Sequence, residues 1–270
     1  MKAKLTKWYS YDEIAEVYEQ IMVPHFFVRP ATDLLDMLAL AKEERMLDLG
    51  SGTGVGILGA KMRLGPESVV VGLDRSLGML SQASGKDVAL LVNGALPGLP
   101  VRDAVFDVIT ANFLMNHIFP YEAALGEIVR ALRSGGKLGM SVWGEVENEV
   151  DSAWTSVSHH FMDKETMAEA LERALPSERW FSSSKNLEEA LRAAGLQNVQ
   201  MKRMTYRIEM SLEDYLEYKC YALGGRFLVH FLEGEIWQKF RQAVADELRS
   251  RFGESVAYTK DAHLAVGNKL

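Results

Sequence analysis

The stretch LDLGSGTGVGILG, residues 47 to 59, constrains the fold more than any other part of the chain. A short apolar run ends at Leu49 and passes without a linker into Gly50-Ser51-Gly52-Thr53-Gly54, with glycine at every second position. Glycine tolerates left-handed backbone that other residues resist, so this spacing predicts a sharp turn. The residues that follow, Gly54 to Leu64, carry a helical pattern of apolar positions. Strand, glycine turn and helix together form the first half of a βαβ unit, whose parallel sheet binds ligands beyond the carboxyl ends of its strands.

The rest of the chain continues that pattern. Strands are predicted at Arg45–Leu49, Ser68–Leu73, Val88–Val92, Val105–Ala111 and Lys137–Val142. Helices are predicted between them at Gly54–Leu64, Leu77–Ser84 and Tyr121–Leu132, the last closed by the turn Arg133-Ser134-Gly135-Gly136. A further helix, Pro30–Ala41, precedes the core. After it, Glu145–Leu175 reads as helical, Asn186–Ala194 as a helix closed by Gly195, and Asn198–Ile208 as a strand. Ser211–Phe252 is mostly helical, with Ile236, Phe240, Val244, Leu248 and Phe252 on one stripe, read as core packing. Ser255–Val266 is a last strand. The expected architecture is α/β: a doubly wound, mostly parallel seven-stranded sheet with an N-terminal helical lid and helical insertions near the C-terminus. No linker rich in Pro, Gly or Ser divides the 270 residues. One domain is expected, with a lid over residues 1–30, a ligand-binding core over 43–143, and substrate-side helices and last strands over 145–270.

Composition narrows the function classes. A net charge of −7 disfavours a broad phosphate-binding surface, so no nucleic-acid partner is expected. The single cysteine, Cys220, excludes an intramolecular disulfide and a multi-cysteine metal site, and no metal is expected. The N-terminus lacks the apolar run of a signal peptide, and no segment reaches the ~20 apolar residues of a membrane span. The expected setting is the cytoplasm, with no membrane insertion.

The glycines also satisfy a second pattern. Gly54-Val55-Gly56-Ile57-Leu58-Gly59 spells G-x-G-x-x-G, and Asp74 follows about twenty residues on, as in a dinucleotide fingerprint. Register argues against it, because the first fingerprint glycine should follow the strand directly, and here four residues intervene between Leu49 and Gly54. Chemistry argues the same way. Asp48, at the end of the first strand, would repel a pyrophosphate but suits a ligand with an ammonium group. Asp74, at the end of the second, can accept both hydroxyls of a ribose. A phosphate-binding P-loop is excluded by Ala60, where lysine would be required.

Five collinear blocks then carry a resemblance: MLDLGSGTG (46–54), VVVGLD (69–74), NGALPGLP (93–100), FDVITANFLMNH (106–117) and EIVRALRSGGKLGMSVW (127–143). In this order they resemble class I S-adenosylmethionine-dependent methyltransferases, within the small-molecule group that includes the ubiquinone and menaquinone biosynthesis enzymes. RWFSSSKNLEEALRAAGLQNVQM (179–201) is similar to a further segment of that group, with Leu196 where phenylalanine is common. The resemblance implies S-adenosyl-L-methionine as cofactor and S-adenosyl-L-homocysteine as product. It places the backbone of Gly50, Ser51 and Gly52 along the methionine part, Asp74 on the ribose, and Arg75 and Met79 beside the adenine. Asn93 and Gly94 stand where the family commonly has aspartate and alanine, so Asn93 would accept from the adenine amino group. The carbonyl of Asn112 would approach the ligand's ammonium.

The implied reaction is methyl transfer to an O, N or C atom of a small, partly apolar molecule. His117, facing the same crevice with Asn116, is the candidate catalytic base. No [DNS]-P-P-[YF] stretch follows the fourth strand, which disfavours exocyclic-amine methylation of nucleic acids or protein glutamines. Substrate selection is expected from the aromatic segment Trp8, Tyr9, Tyr11, Tyr18, Phe26 and Phe27 and from the helices over 211–252, with Tyr18 as a lid residue over the cofactor. A binding module without turnover and a nicotinamide-dependent oxidoreductase are the alternatives.

Overall fold

The structure, a computed structural model, describes residues 7–65, 67–86, 90–145 and 148–270. Seven strands form one sheet in the order β3-β2-β1-β4-β5-β7-β6. They are β1 (Met46–Leu49), β2 (Val70–Asp74), β3 (Leu90–Asn93), β4 (Phe106–Asn112), β5 (Leu132–Trp143), β6 (Leu196–Ser211) and β7 (Ser255–Lys269). The first five are parallel, and β7 runs antiparallel between β5 and β6. The chain winds from β1 outward to β3, then returns to place β4 on the other side of β1. A crevice therefore opens beyond the carboxyl ends of β1 and β4, where the winding reverses.

Successive strand residues point to opposite faces, and the two faces build separate cores. Leu47, Leu49, Ile109, Leu138 and Met140 pack with Leu125, Ile128, Leu187 and Leu191 from the helices Tyr121–Ala131 and Ser184–Ala193. Met46, Val70, Val108 and Leu264 pack on the other side against Leu34, Leu35, Leu38 and Ile57 of the helices Val28–Leu38 and Val55–Leu64. A third core joins the outer ends of β6 and β7 to the helices Glu149–Ser158, Leu212–Tyr221, Leu223–Phe231 and Gly234–Phe252. Phe240, Val244 and Leu248 of the expected stripe are buried there, whereas Ile236 is 53% exposed.

Several boundaries depart from expectation. The helix Tyr121–Ala131 does not end in a glycine cap; β5 begins at once with Leu132. Its last carbonyls are already taken, since Ala104 N–H donates to Arg130 O and Val105 N–H to Ala131 O, both at 3.0 Å. The expected run Glu145–Leu175 is two helices, restarted by Asp163, whose side chain accepts from Thr166 N–H. Residues 146 and 147 of that run, and Val88 and Ala89 of the expected third strand, lie outside the described residues, as do residues 1–6 of the expected lid. Much of the remaining N-terminal segment is core: Ile14, Ala15, Met22, Val23 and Phe26 are all buried.

Candidate active site

The glycine turn has the predicted register. Gly50, Gly52 and Gly54 lie at φ 61°, 53° and 92°, and the helix starts at Val55 immediately after them. A side chain on Gly50 would stand 2.8 Å from Leu114 Cδ1, whereas on Gly52 the nearest atom is Gly50 O at 4.0 Å, so Gly52 leaves open space above the turn. The turn is tied to β2, because Ser51 N–H donates to Leu73 O at 3.0 Å and Gly52 N–H to Asp74 Oδ2 at 2.8 Å. Asp74 Oδ1 accepts from Ser76 N–H at 2.8 Å. Each carboxylate oxygen has a second lone pair, so two acceptor positions remain for a ligand. Burial pushes the Asp74 carboxyl above its ordinary value, although both amide bonds pull it down.

A cavity of about 670 Å³ runs from this turn into the crevice. Its near end is formed by Gly50, Gly52, Asp74, Arg75, Met79, Gly94 and Asn112, and its far end by Tyr11, Tyr18, Phe27, Phe113, His117, Trp143 and Tyr218. Among the expected ligand residues, Gly50, Gly52, Asp74, Arg75, Met79, Gly94, Asn112 and Tyr18 thus line one cavity, together with His117. Asn112 Oδ1 accepts from Ser141 Oγ at 3.0 Å, while Ser51 Oγ and Thr53 Oγ1 are buried without a partner.

Three expected positions differ. Asp48 does not line the cavity; its Oδ1 accepts from Thr110 Oγ1 at 2.7 Å in the neighbouring strand, and burial raises its carboxyl to about 7. Ser51 is also behind the wall and buried. Asn93 is exposed and off the wall, because its Nδ2 donates to the carbonyls of Asp74 and Arg75, both at 3.1 Å. The residues after β3 that do line the cavity are Gly94, Ala95 and Leu96.

Other groups emerge only from the tertiary structure. Asp12 Oδ1 accepts from Ser76 Oγ at 2.7 Å and Gly78 N–H at 3.0 Å, at the start of the helix Leu77–Ser84. The Gly78 amide and the Ser76 hydroxyl hold the Asp12 carboxyl below its ordinary value. Arg226 is fully buried; its Nη1 donates to Ser10 O at 2.5 Å and its guanidinium lies 4.6 Å from the Tyr11 ring centre. No local sequence signal announces either pairing, since the partners are 64 and 216 residues apart. Tyr11 meets the His117 ring edge-on at 5.6 Å, and Tyr18 stacks on Phe27 at 5.2 Å. Burial lowers the His117 pKa to about 4, which keeps the imidazole neutral and a weak proton acceptor at neutral pH. Among the described residues, no cluster of His, Cys, Asp or Glu gathers as a metal site, and no helix is long and apolar enough to cross a membrane.

Comparison with known proteins agrees with this geometry. Residues 47–140 match the family described as a methyltransferase domain. Malonyl-acyl-carrier-protein O-methyltransferase of Methylococcus capsulatus is 32% identical over 191 residues, 68% of this chain and 63% of that protein. The chain therefore spans less than two thirds of that relative's length. Demethylmenaquinone methyltransferase of Corynebacterium urealyticum is 28% identical over 62% of this chain and 74% of its own. Among solved structures, a methyltransferase-like protein of Bacillus halodurans superposes with a TM-score of 0.57 at 18% identity, over 89% of this chain and 99% of its own. Phosphoethanolamine N-methyltransferase 2 of Haemonchus contortus, in complex with S-adenosyl-L-methionine, gives 0.59 at 17% identity over 96% of this chain and 57% of its own. At these identities the structural likeness concerns the fold.

Proposed function

Since the chain belongs to the class I S-adenosylmethionine-dependent methyltransferases of the small-molecule group, we propose that it transfers a methyl group to a small, partly apolar acceptor held at the aromatic end of the cavity. The observation that carries this reading is the Asp74 carboxylate facing an open left-handed glycine turn, with two acceptor positions to spare. The residues fit the cofactor. Asp74 takes the ribose hydroxyls, Gly50 and Gly52 admit the amino-acid tail, and Arg75, Met79 and Gly94 to Leu96 enclose the adenine. Asn112 provides its carbonyl to the tail. Asp48 acts from behind the turn, as a carboxylate whose ionisation a bound ammonium would favour. When bound, the cofactor supplies a methyl group activated by a positively charged sulfur.

The protein's task is then orientation and exclusion of water. Tyr11, Tyr18 and Phe27 close the cavity on the N-terminal side, and the Asp12 and Arg226 contacts clamp that segment at two points. Residues 7–13 are the lid proper, and the buried positions from Ile14 onward anchor it. His117 presents a neutral imidazole to the acceptor and orients it by a hydrogen bond. A polymer such as a nucleic acid is not the expected acceptor, given an enclosed aromatic end and a net charge of −7. Calorimetry tests the reading: S-adenosylhomocysteine should bind with a stoichiometry of one and NAD should not, whereas the reverse would refute it.

A further inference from the structure

We infer that the methyl acceptor carries a carboxylate, received between the Tyr11 hydroxyl and the start of the helix Leu223–Phe231, with Arg226 as its buried counter-charge. This rests on the methyl-transfer reading above and names the class of the acceptor. The helix follows directly on Leu212–Tyr221, with Ala222 alone between them. Ala222 and Leu223 both line the cavity, so the helix begins at the cavity wall. No side chain caps it. Its first-turn amides lack acceptors within the helix, and its dipole favours negative charge at that end.

Arg226 stands three residues after Leu223 and four after Ala222, on the same face of the helix. It is 1% exposed. Nη1 is spent on Ser10 O, and Nε is buried without a partner. The remaining polar neighbours are the hydroxyls of Tyr11 and Tyr18, which burial keeps protonated and uncharged. Among the described residues no carboxylate is in salt-bridge contact with this guanidinium. A carbonyl and two phenols accept hydrogen bonds, but they leave a buried positive charge uncompensated. An anion in the cavity compensates it.

Tyr11 carries the effect of that charge to the cavity surface. It lines the cavity, its ring centre lies 4.6 Å from the guanidinium, and its oxygen accepts from Arg226. Its own O–H is then left to donate to a ligand. The charged groups that act on the neighbouring His117 ring, Arg75 and Arg226, are both cations. Glu178, at the same end, is exposed and has a counter-charge in Lys260, while Asp74 belongs to the near end. The buried part of this end is therefore positive, so it repels an ammonium and accepts an anion. One charge suits a carboxylate, whereas a phosphate dianion would bury a second negative charge without a partner. The carboxylate is the handle by which the acceptor is held, and Phe27, Phe113 and Trp143 at the same end of the cavity receive its apolar body.

The test uses the full chain saturated with S-adenosylhomocysteine and measures binding of 2-naphthoate and of 2-naphthamide, which has the same shape without the charge. The wild type should prefer the naphthoate about tenfold or more, as hydrogen bonds to a charged group imply. Because the counter-charge is buried, that preference should persist in high salt. Arg226→Met should abolish it. If the substitution also loosens the N-terminal segment, both ligands suffer alike and the ratio still reads the charge. Tyr11→Phe, which keeps the ring and the arginine, should cut the preference about fivefold and decides the matter if Arg226→Met does not fold. Equal binding of the two ligands by the wild type, a preference that survives either substitution, or one that collapses in salt (the mark of exposed Lys7 or Arg75) would overturn the proposal. So would failure of both ligands to bind. If S-adenosylhomocysteine itself fails to bind, the methyl-transfer reading is what fails, and this inference with it.

Discussion

Gly56, on the first turn of the helix Val55–Leu64, is a position where adding one carbon should do harm out of proportion to its size. In an exposed helix, Gly→Ala gains about 1 kcal/mol of helix propensity. Here the new Cβ would stand 2.5 Å from Asp48 Oδ2 and 3.2 Å from its Cγ. The first distance is about 0.9 Å short of the 3.4 Å at which ordinary contact begins. Asp48 cannot easily retreat. Its backbone is paired to Gly72 on one side and Thr110 on the other, and its Oδ1 holds the Thr110 hydroxyl. Either the helix lifts off the sheet, an overpacking cost of about 1–3 kcal/mol, or the carboxyl rotates and orphans a buried hydroxyl at about 1–3 kcal/mol. Set against the propensity gain, Gly56→Ala should be destabilising by up to about 2 kcal/mol. Gly126 is the control: it is exposed in the helix Tyr121–Ala131, and an added Cβ meets nothing within 4 Å. Gly126→Ala should therefore be stabilising by about 0.5–1 kcal/mol. Urea unfolding followed by circular dichroism reads both, and for a chain of this size each kcal/mol moves the Tm by about 2–4 °C. A Gly56→Ala protein as stable as Gly126→Ala would refute the packing argument.

Asp74→Ala should weaken S-adenosylhomocysteine binding by about 1.5–3 kcal/mol by calorimetry, because a charged acceptor is lost; an unchanged Kd would sink the ribose assignment. Since Asp74 also holds the Gly52 and Ser76 amides, circular dichroism must show the fold retained. Asp48 has a folded-state pKa raised from 3.8 to about 7, so the folded state binds more protons than the unfolded state between these values. Stability should accordingly fall as pH rises through that window, by up to about 1.4 kcal/mol per pH unit from this group, and Asp48→Asn should flatten the slope. A wild-type urea midpoint with the same pH profile as the variant would contradict it. Arg226→Met removes the link to Ser10 O and the cation over Tyr11. Amides from Tyr11 to Tyr18 should exchange faster by mass spectrometry while those of β1 and β4 keep their protection. Uniform loosening of the whole chain would instead mark Arg226 as a general core residue.

The sequence by itself determined what local chemistry can encode. Alternating apolar runs, turn glycines and helix periodicity fixed the seven strands and their α/β order, because each depends on residues within a few positions of one another. The turn Gly50–Gly54 and the carboxylate at Asp74 were legible for the same reason: backbone permissiveness and strand-end placement are local properties. Boundaries set by distant partners were not, as at Leu132, where the amides of Ala104 and Val105 end the helix and a glycine cap does not. The same limit governs the site. Asp48 looked like a ligand residue from its strand-end position, but the register of β1 against β4 turns its carboxyl to Thr110, a residue 62 positions away. Asn93 fits the expected block, yet its amide donates to the end of β2. The far end of the cavity was the least legible part, since it joins Tyr11, His117, Trp143, Glu178 and Tyr218 from five separate segments. Only packing sets the distances between side chains so far apart in the chain, and with them which rings already carry a cation.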